Sequence, residues 1–227
     1  MKISNFRLGI GLPLSYHMIP SAFFDSFISM EKPPFVYLRT SNGPIDEMRN
    51  AIVKDAFESN CTHLIMMDTD QVYDPKTIPR LLSHNLPIVG CLVYRRYPPF
   101  DPLMLRGEMG KYQTVEEWDK DALVEVDATG TGCLLFDMEV FRKMPAPWFR
   151  ARREPETGKP IGEDIGFCSE LRAAGYKVFV DTAVPAGHLS QMQITDGSWR
   201  LYRRLNELSK QEDAHRVEHG VVVAVKT

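Results

Sequence analysis

Strand-like and helix-like segments alternate through the first 93 residues, and this alternation limits the possible folds more than any other feature of the sequence. Short apolar runs predict strands, and the segments between them carry apolar residues at helical spacing. The predicted strands cover residues 6–12, 35–38, 62–67 and 87–93, and the predicted helices cover 19–30, 44–56 and 75–84. Such alternation is typical of α/β proteins, in which helices cover both faces of a mainly parallel sheet.

The second half of the sequence is less regular. Residues 94–121 contain three prolines and scattered charges, which predict a long irregular insert, and residues 150–160 predict a charged loop. Further strands are predicted at 123–126, 132–136 and 177–180, and further helices at 162–174 and 199–216. We expect all of these elements to belong to a single domain that spans residues 1–227.

Composition and charge exclude several classes of protein. Hydrophobic residues make up 44% of the chain and charged residues 25%, and the formal net charge is −3, which argues against a protein that mainly coats nucleic acid. No apolar run approaches the roughly 20 residues of a membrane helix, and the first residues lack a signal-peptide pattern. The four cysteines form no CxxC pair. We therefore expect buried thiols, a cytoplasmic location and no membrane span.

Two carboxylates, Asp68 and Asp70, directly follow the predicted strand 62–67. Because side chains alternate along a strand, we expect the two to point the same way, at the sheet edge where open α/β folds bind ligands. Mg²⁺ and Mn²⁺ often join such carboxylates to the phosphates of a substrate. The alternative is an acidic turn in which Asp70 or Asp74 caps the following helix. We favour the metal–phosphate interpretation.

Two further signals lie later in the chain. Glu163 and Asp164 open a predicted helix, where a carboxylate could act as a general base but is also favoured by the helix dipole alone. His188 follows the last predicted core strand, either as a metal ligand or as a half-buried loop histidine.

In their order and spacing, these features resemble the GT-A nucleotide-sugar glycosyltransferases, most closely the family-2-like members. The resemblance covers about residues 6–190 and rests on Leu12-Pro13-Leu14-Ser15, Asp46-Glu47-Met48-Arg49-Asn50, the DxD motif Asp68-Thr69-Asp70, the segment Gly130–Phe136, the ED motif in Gly162-Glu163-Asp164, and His188. It implies a GT-A (Rossmann-like) three-layer fold with a central, mainly parallel mixed sheet.

The resemblance also implies roles for individual residues. Asp70 would bind Mn²⁺ or Mg²⁺ directly, His188 would complete the metal site, and Asp68 would contact the ribose or a metal-bound water. Asp164 would act as the general base, with Glu163 beside it contacting the acceptor. The residues that would lie around the nucleotide sugar are Pro13, Ser15, Arg39, Arg49, Asp68, Gly130 and Gly132.

By the same resemblance, residues 1–93 would bind a UDP- or GDP-sugar, and residues 94–227 would form the acceptor half. A direct displacement would invert the anomeric configuration. The acceptor would be a hydroxyl on a glycan, a small molecule or a modified nucleic-acid base. The QxxRW sequence that often follows the ED motif in this family is matched only loosely, at Gln191–Gln193 and Trp199-Arg200.

Two other functions fit parts of the sequence. In a phosphatase of the haloacid-dehalogenase type, Asp68 would be the nucleophile, but that motif normally follows the first strand and leaves His188 without a role. A non-catalytic module that binds a sugar nucleotide would keep Asp68 and Asp70 and need no base.

Two basic segments, Tyr94–Phe100 and Arg150–Arg153, have no assigned role. Arginines with aromatic neighbours could hold phosphate and stack a base or a sugar, which would favour a nucleic-acid acceptor. We favour the interpretation that these charges are solvated loop residues.

Overall fold

The structure is a computed structural model that describes residues 6–15, 18–154 and 157–218. The chain divides into two compact units, Met1–Ser190 and Gln191–Thr227. The first unit carries every residue of the predicted site, whereas the second contains one long helix, α6 (Asp196–Glu218). The predicted C-terminal helix is therefore confirmed, and it begins three residues earlier than expected.

The first unit is a mixed α/β structure. Its strands in the described ranges are β1 (Leu8–Leu14), β2 (Phe35–Ser41), β3 (His63–Met67), β4 (Gln71–Val72), β5 (Ile88–Val93), β6 (Met104–Arg106), β7 (Gln113–Thr114), β8 (Leu123–Val126), β9 (Ala128–Thr129), β10 (Cys133–Asp137), β11 (Arg152–Arg153), β12 (Pro160–Ile161) and β13 (Val178–His188). Its helices there are α1 (Ser21–Ser29), α2 (Ile45–Glu58), α3 (Thr77–Ser83), α4 (Met138–Lys143) and α5 (Glu163–Ala173).

In the described part of the chain, eight strands form the central sheet, in the order β2-β1-β3-β10-β5-β13-β4, with β8 also paired to β13. The strands β2, β1, β3, β5 and β13 all run in one direction, and β10 runs antiparallel between β3 and β5. The expectation of a central, mainly parallel mixed sheet is confirmed. The carboxyl ends of β1, β3 and β5 consequently meet at one edge of the sheet.

Apolar side chains cover both faces of this sheet. On β3, Leu64 and Met66 pack into one buried cluster with Ile52 of α2 and residues of α4 and α5. Ile65 and the other alternate residues of β3 pack into a second cluster with Phe23 of α1 and residues of α3. Each fully buried side chain of this size stabilises the fold by about 1.5–3 kcal/mol. The arrangement is a three-layer sandwich, and the four cysteines are buried free thiols as expected.

The expectation that the first strand stops at Pro13 is wrong. β1 continues through Pro13 to Leu14, with Pro13 opposite Thr40 of β2. β3, on the other side, pairs with β1 only from Leu8 to Gly11. Pro13 therefore lies where one side of the strand has no ladder partner, so its missing N–H costs no hydrogen bond there.

The last core strand is much longer than the predicted range 177–180. β13 pairs with β5 up to Asp181, then departs from regular register before Ala186. Its final residues pair with β4, where His188 lies opposite Gln71. His188 thus ends a strand instead of lying in a loop. The sequence did not predict a strand that continues to His188, because Pro185 lies within it and proline within a run argues against a strand.

The insert at 94–121 is not irregular throughout. β6 and β7 form a small three-stranded sheet with β9, and the charged segment 150–160 contains β11 and the start of its partner β12. The helix α4 was not expected at all. It begins after Asp137, whose side chain accepts a hydrogen bond from the backbone N–H of Glu139 at 2.8 Å.

Candidate active site

A cavity of about 190 Å³ lies at the carboxyl ends of β1 and β3. Its lining contains the predicted residues Pro13, Ser15, Arg49, Asp68 and Asp70. Two larger cavities, of about 590 and 500 Å³, are lined by other parts of the first unit. We assign the candidate site to the smaller cavity because it collects carboxylates and guanidinium groups at the edge where α/β sheets bind ligands.

The buried side chain of Arg49 organises one wall of the site. Helix α2 points it at the end of β3, where Nη2 lies 3.1 Å from Asp68 Oδ1. Its Nη1 lies 2.5 Å from Glu163 Oε1 at the start of α5. Burial alone would lower the pKa of Arg49, but the charges of Asp68, Glu163 and Asp164 outweigh it and raise that pKa. Arg49 therefore stays charged and holds two acidic motifs together.

The two carboxylates of the DxD motif contact different cations. β3 ends at Met67, and the motif lies in the turn that follows it, so strand alternation does not govern its side chains. Asp68 faces Arg49, whereas Asp70 forms an ion pair with Arg96. The helix-capping alternative is not supported for Asp70, because the carboxylate that accepts the turn hydrogen bond, from Lys76 N at 2.7 Å, belongs to Asp74.

Gly132 lies directly against this turn. The backbone N–H of Asp68 donates to the carbonyl oxygen of Gly132 at 2.8 Å. The hydroxyl of Tyr73 lies 2.7 Å from the carbonyl oxygen of Asp68 and 2.8 Å from that of Gly132. A Cβ at position 132 would approach Asp68 Oδ2 to 2.9 Å and would come closer still to the side-chain nitrogen of Gln71. The glycine thus leaves room for two polar side chains of the protein itself.

Asp70 and His188 approach each other because β4 and β13 are paired. His188 Nδ1 lies 2.7 Å from the carbonyl oxygen of Tyr94, which can only accept, so Nδ1 carries a proton. His188 Nε2 lies 3.3 Å from Asp70 Oδ2, a long distance for a charged hydrogen bond. Contact with Asp70 raises the pKa of His188 against the opposing effect of burial. Burial favours a higher pKa for Asp70, but His188 and Arg96 outweigh it and lower that pKa.

Asp70 and His188 fit a divalent cation whose remaining ligands come from a substrate and water. His188 Nε2 is buried and has no hydrogen-bond partner within the described ranges, and it faces a carboxylate oxygen. The residues placed by the structure include no cluster of three or more His, Cys, Asp and Glu side chains suited to a metal. Mg²⁺ and Mn²⁺ commonly use one or two protein ligands and take the rest from water and phosphate oxygens. Asp70 and His188 match that ligand set.

The ED motif occupies the first turn of α5. Burial raises the pKa of Asp164, and the charge of Arg49 only partly opposes this. The pKa of Glu163 is raised in the same way. A Cβ on Gly130 would lie 3.7 Å from Asp164 Oδ2, so the glycine segment before β10 and the ED carboxylate adjoin. A carboxylate with a raised pKa is suited to accept a proton near neutral pH.

Sequence reasoning missed the contribution of the chain after β5. Arg96, interpreted as a solvated loop charge, lines the cavity instead, and the carbonyl of Tyr94 orients His188. A signal existed, because both residues follow a strand parallel to β3 and so reach the same sheet edge. Arg39 is exposed on β2 and is not among the residues that line the cavity. Its role at the nucleotide stays a prediction.

No protein-family model matches the sequence, and no curated protein sequence matches it. Solved structures do resemble the fold. A197 from STIV is 16% identical over 84% of this chain and 97% of its own, with a TM-score of 0.55. GalNAc-T7, solved with UDP, GalNAc and Mn²⁺, is 11% identical over 85% of this chain, with a TM-score of 0.57. S. aureus TarS 1–349, in complex with UDP-GlcNAc, is 12% identical over 85% of this chain, with a TM-score of 0.52.

The chain has the GT-A fold. The GT-A fold predicted from the motifs is thereby confirmed, and identities this low carry the fold alone. The matched region spans 45% of the GalNAc-T7 chain and 61% of the TarS chain. Within the residues that the structure describes, no helix has both the length and the apolar character needed to cross a membrane.

Proposed function

We propose that this chain is a metal-dependent glycosyltransferase that transfers a sugar from a nucleoside-diphosphate sugar to an acceptor hydroxyl, with inversion. The observation that carries the proposal is that Arg49, in the wall of the cavity that Asp68 and Asp70 line, contacts both Asp68 and Glu163 of the ED motif, while Asp70 lies next to His188. A GT-A fold hosts such a reaction at this sheet edge, and solved neighbours of this fold are complexes with UDP or UDP-GlcNAc.

Asp70 and His188 would hold Mn²⁺ or Mg²⁺ together with oxygens of the donor's diphosphate. A bound cation of this kind neutralises the charge that develops on the departing nucleoside diphosphate. Pro13, Ser15 and Arg49 would line the nucleotide subsite, since they share the cavity with the DxD motif. Asp68, held by Arg49, would contact the ribose or a metal-bound water.

Asp164 would accept the proton of the acceptor hydroxyl as that oxygen attacks the anomeric carbon. Its raised pKa suits this role, because a base of very low pKa has little tendency to take a proton. Gly130 borders the same carboxylate, so the sugar would lie between the glycine segment and α5. Glu163 is held by Arg49 and would contact the acceptor.

The finer assignments are part of the same proposal. We propose a family-2-like enzyme in which residues 1–93 bind a UDP- or GDP-sugar donor and residues 94–227 form the acceptor half. A cytoplasmic location and an acceptor hydroxyl on a glycan, a small molecule or a modified nucleic-acid base also belong to it.

A thermal-shift panel tests the proposal directly. Wild-type protein is heated with UDP, GDP, CDP or TDP and with their sugars, each with Mn²⁺ and with EDTA. A ligand present at 100 times its dissociation constant stabilises the folded state by about 2.7 kcal/mol, which raises the melting temperature measurably. We expect a shift with one nucleotide that requires Mn²⁺ and is lost in Asp70→Ala. No shift with any nucleotide, together with hydrolysis of a phosphomonoester, would instead favour the phosphatase.

A further inference from the structure

The short hairpin that follows β5 delivers an arginine to the candidate cation site. Tyr94 and Pro102 form an antiparallel bridge at its base, and the backbone N–H of Arg95 donates to Asp101 O at 2.8 Å. Between these pairs the chain places Arg96 over the cavity. The same hairpin therefore supplies the carbonyl that orients His188 and a guanidinium at Asp70.

One oxygen atom receives two of these groups. Asp70 Oδ2 forms the ion pair with Arg96 Nη2 and also lies 3.3 Å from His188 Nε2. That oxygen and that nitrogen are the two protein atoms that would bind a divalent cation. A guanidinium is always charged and only donates, so it cannot share a ligand oxygen closely with Mn²⁺ without strong repulsion.

We infer that Arg96 is a tethered cation that occupies the Asp70–His188 site in the donor-free protein and moves to the donor's diphosphate when metal and donor bind. This inference rests on the proposed function for its second half, the transfer to a diphosphate. Its first half, competition between Arg96 and a divalent cation, concerns the protein without nucleotide.

The two arginines of the cavity differ in the freedom that this exchange needs. Arg49 has a side chain that is 4% exposed and contacts two carboxylates, so it has no room to move. Arg96 has a side chain that is 38% exposed, lies on a surface hairpin and contacts one carboxylate. Guanidinium groups bind phosphate oxygens in a bidentate geometry that matches a diphosphate. Arg96 can therefore leave Asp70 for a second anionic partner.

The consequence is coupled binding. A divalent cation that binds without a donor has to displace Arg96 from Asp70, and the positive charge of Arg96 then stays nearby. The cation alone therefore binds weakly. A cation that arrives with a diphosphate brings a new anionic partner for Arg96. Metal and donor should then each strengthen the binding of the other, by the same factor.

Binding of Mn²⁺ in the absence of nucleotide, followed by electron paramagnetic resonance of the free ion, tests the competition. We expect Arg96→Ala to bind Mn²⁺ about tenfold more tightly than wild type, which corresponds to about 1.4 kcal/mol. The matched control is Arg95→Ala, which removes the same charge from the neighbouring, exposed position. It should stay within about twofold of wild type, since exposed charges are well screened. Asp70→Asn should lose the binding.

Titration of UDP and GDP in the presence of Mn²⁺ tests the transfer to the diphosphate. Arg96→Ala should weaken nucleotide binding about tenfold, as expected for the loss of one charge-assisted contact, and Arg95→Ala should leave it unchanged. Circular dichroism and the melting temperature of each variant confirm that it is folded.

The outcomes separate this inference from the proposed function. Mn²⁺ affinity that is equal in Arg96→Ala and Arg95→Ala, or undetectable in every variant, overturns the inference. If no nucleotide binds but Arg96→Ala still tightens Mn²⁺ binding, the competition stands and the proposed function fails. If a nucleotide binds wild type with Mn²⁺ while Arg96→Ala leaves Mn²⁺ affinity unchanged, the function stands and the inference fails.

Discussion

Arg49 Nη1 lies 2.5 Å from Glu163 Oε1, although the two residues are 114 positions apart in the sequence. The contact connects α2, which packs against the sheet, with the helix that carries the candidate base. With its second contact to Asp68, the guanidinium neutralises the acidic groups of both motifs at once. The acidic site is therefore compatible with a folded core only because a buried cation was placed between the motifs.

Replacing Arg49 should lower the free energy of unfolding by more than the lost packing contacts of its side chain alone would explain. Arg49→Met removes the charge but keeps the length of the side chain, and it leaves the partly buried carboxylates of Asp68 and Glu163 near each other without a compensating cation. We expect a loss of about 3–5 kcal/mol in the free energy of unfolding, measured by urea denaturation at pH 7. Arg39→Met, at an exposed position, is the matched control and should change stability by about 0.5 kcal/mol or less. Equal effects of the two substitutions would contradict the role of Arg49.

Asp164 should show a conflict between stability and activity. Its raised pKa means that the folded protein holds the proton more tightly than the unfolded chain does. Stability therefore falls as pH rises from the ordinary carboxyl pKa through the raised one. Asp164→Asn should raise the free energy of unfolding at pH 7 by about 0.5–2 kcal/mol, with a smaller gain at acidic pH.

The same substitution should lower turnover about 10²–10⁴-fold if Asp164 is the general base. Wild-type turnover should itself decline as pH falls through the raised pKa of this group. A variant with wild-type turnover under identical conditions would remove Asp164 from the mechanism, and the binding-module alternative would then gain support.

Replacing Asp181 with Asn should lower the free energy of unfolding, which is the opposite of the effect expected at Asp164. The buried carboxylate of Asp181 lies 2.5 Å from Arg80 Nε and 2.6 Å from His84 Nε2. Burial would raise its pKa, but the hydrogen bonds from Arg80 and His84 outweigh this and lower it. Asp181→Asn should cost about 1–3 kcal/mol at pH 7.

The pH profile of this loss follows from the lowered pKa. The charged carboxylate contributes stability above the pKa of the unfolded chain, and that contribution is lost as pH falls through the lower folded pKa. The difference in unfolding free energy between wild type and Asp181→Asn should therefore narrow in acid. A difference that stays constant down to the lowest pH at which wild type folds would contradict the assignment.

Gly132 should tolerate no side chain. In Gly132→Ala the new methyl would meet the side chains of Gln71 and Asp68 and force both to shift. We expect an intact fold with nucleotide affinity reduced at least about tenfold, measured by calorimetric titration with Mn²⁺ present. Gly187→Ala is the matched control, because the nearest atoms to a Cβ there lie 4.0 Å away. Similar affinities for the two variants would show that the space beside Asp68 is not needed.

The local pattern of the sequence predicted much of the fold because each core strand and most helices carry their own period of apolar residues. β3 and β8 were found nearly to the residue for this reason. The short strands β4 and β9 escaped, since two residues carry no period and form only where a partner strand is already in place. The length of β13 was missed because pairing with β4, a tertiary contact, overrode the local effect of Pro185.

Candidate residues were predicted where an acidic residue follows a strand, as at Asp68 and Asp70, or opens a helix, as in the ED motif. Gathering these residues with Pro13, Ser15 and Arg49 needed the fold, which brings the ends of β1 and β3 together. Arg96 could not be separated from Arg95 in the sequence, since the two are adjacent and chemically identical. Only the hairpin geometry decides which of them reaches Asp70.

The irregular stretch between Asp181 and Ala186 sets the position of His188. Five steps along β13 there correspond to two steps along β5, and only with that excess does His188 arrive opposite Gln71. Removing one residue from the stretch would bring Leu189 to the same place and put an alkyl group where an imidazole faces Asp70. Changes in chain length are usually harmless in segments that lack regular pairing. Here the number of residues between Asp181 and Ala186 determines which side chain faces Asp70, and so whether the proposed cation site has its histidine.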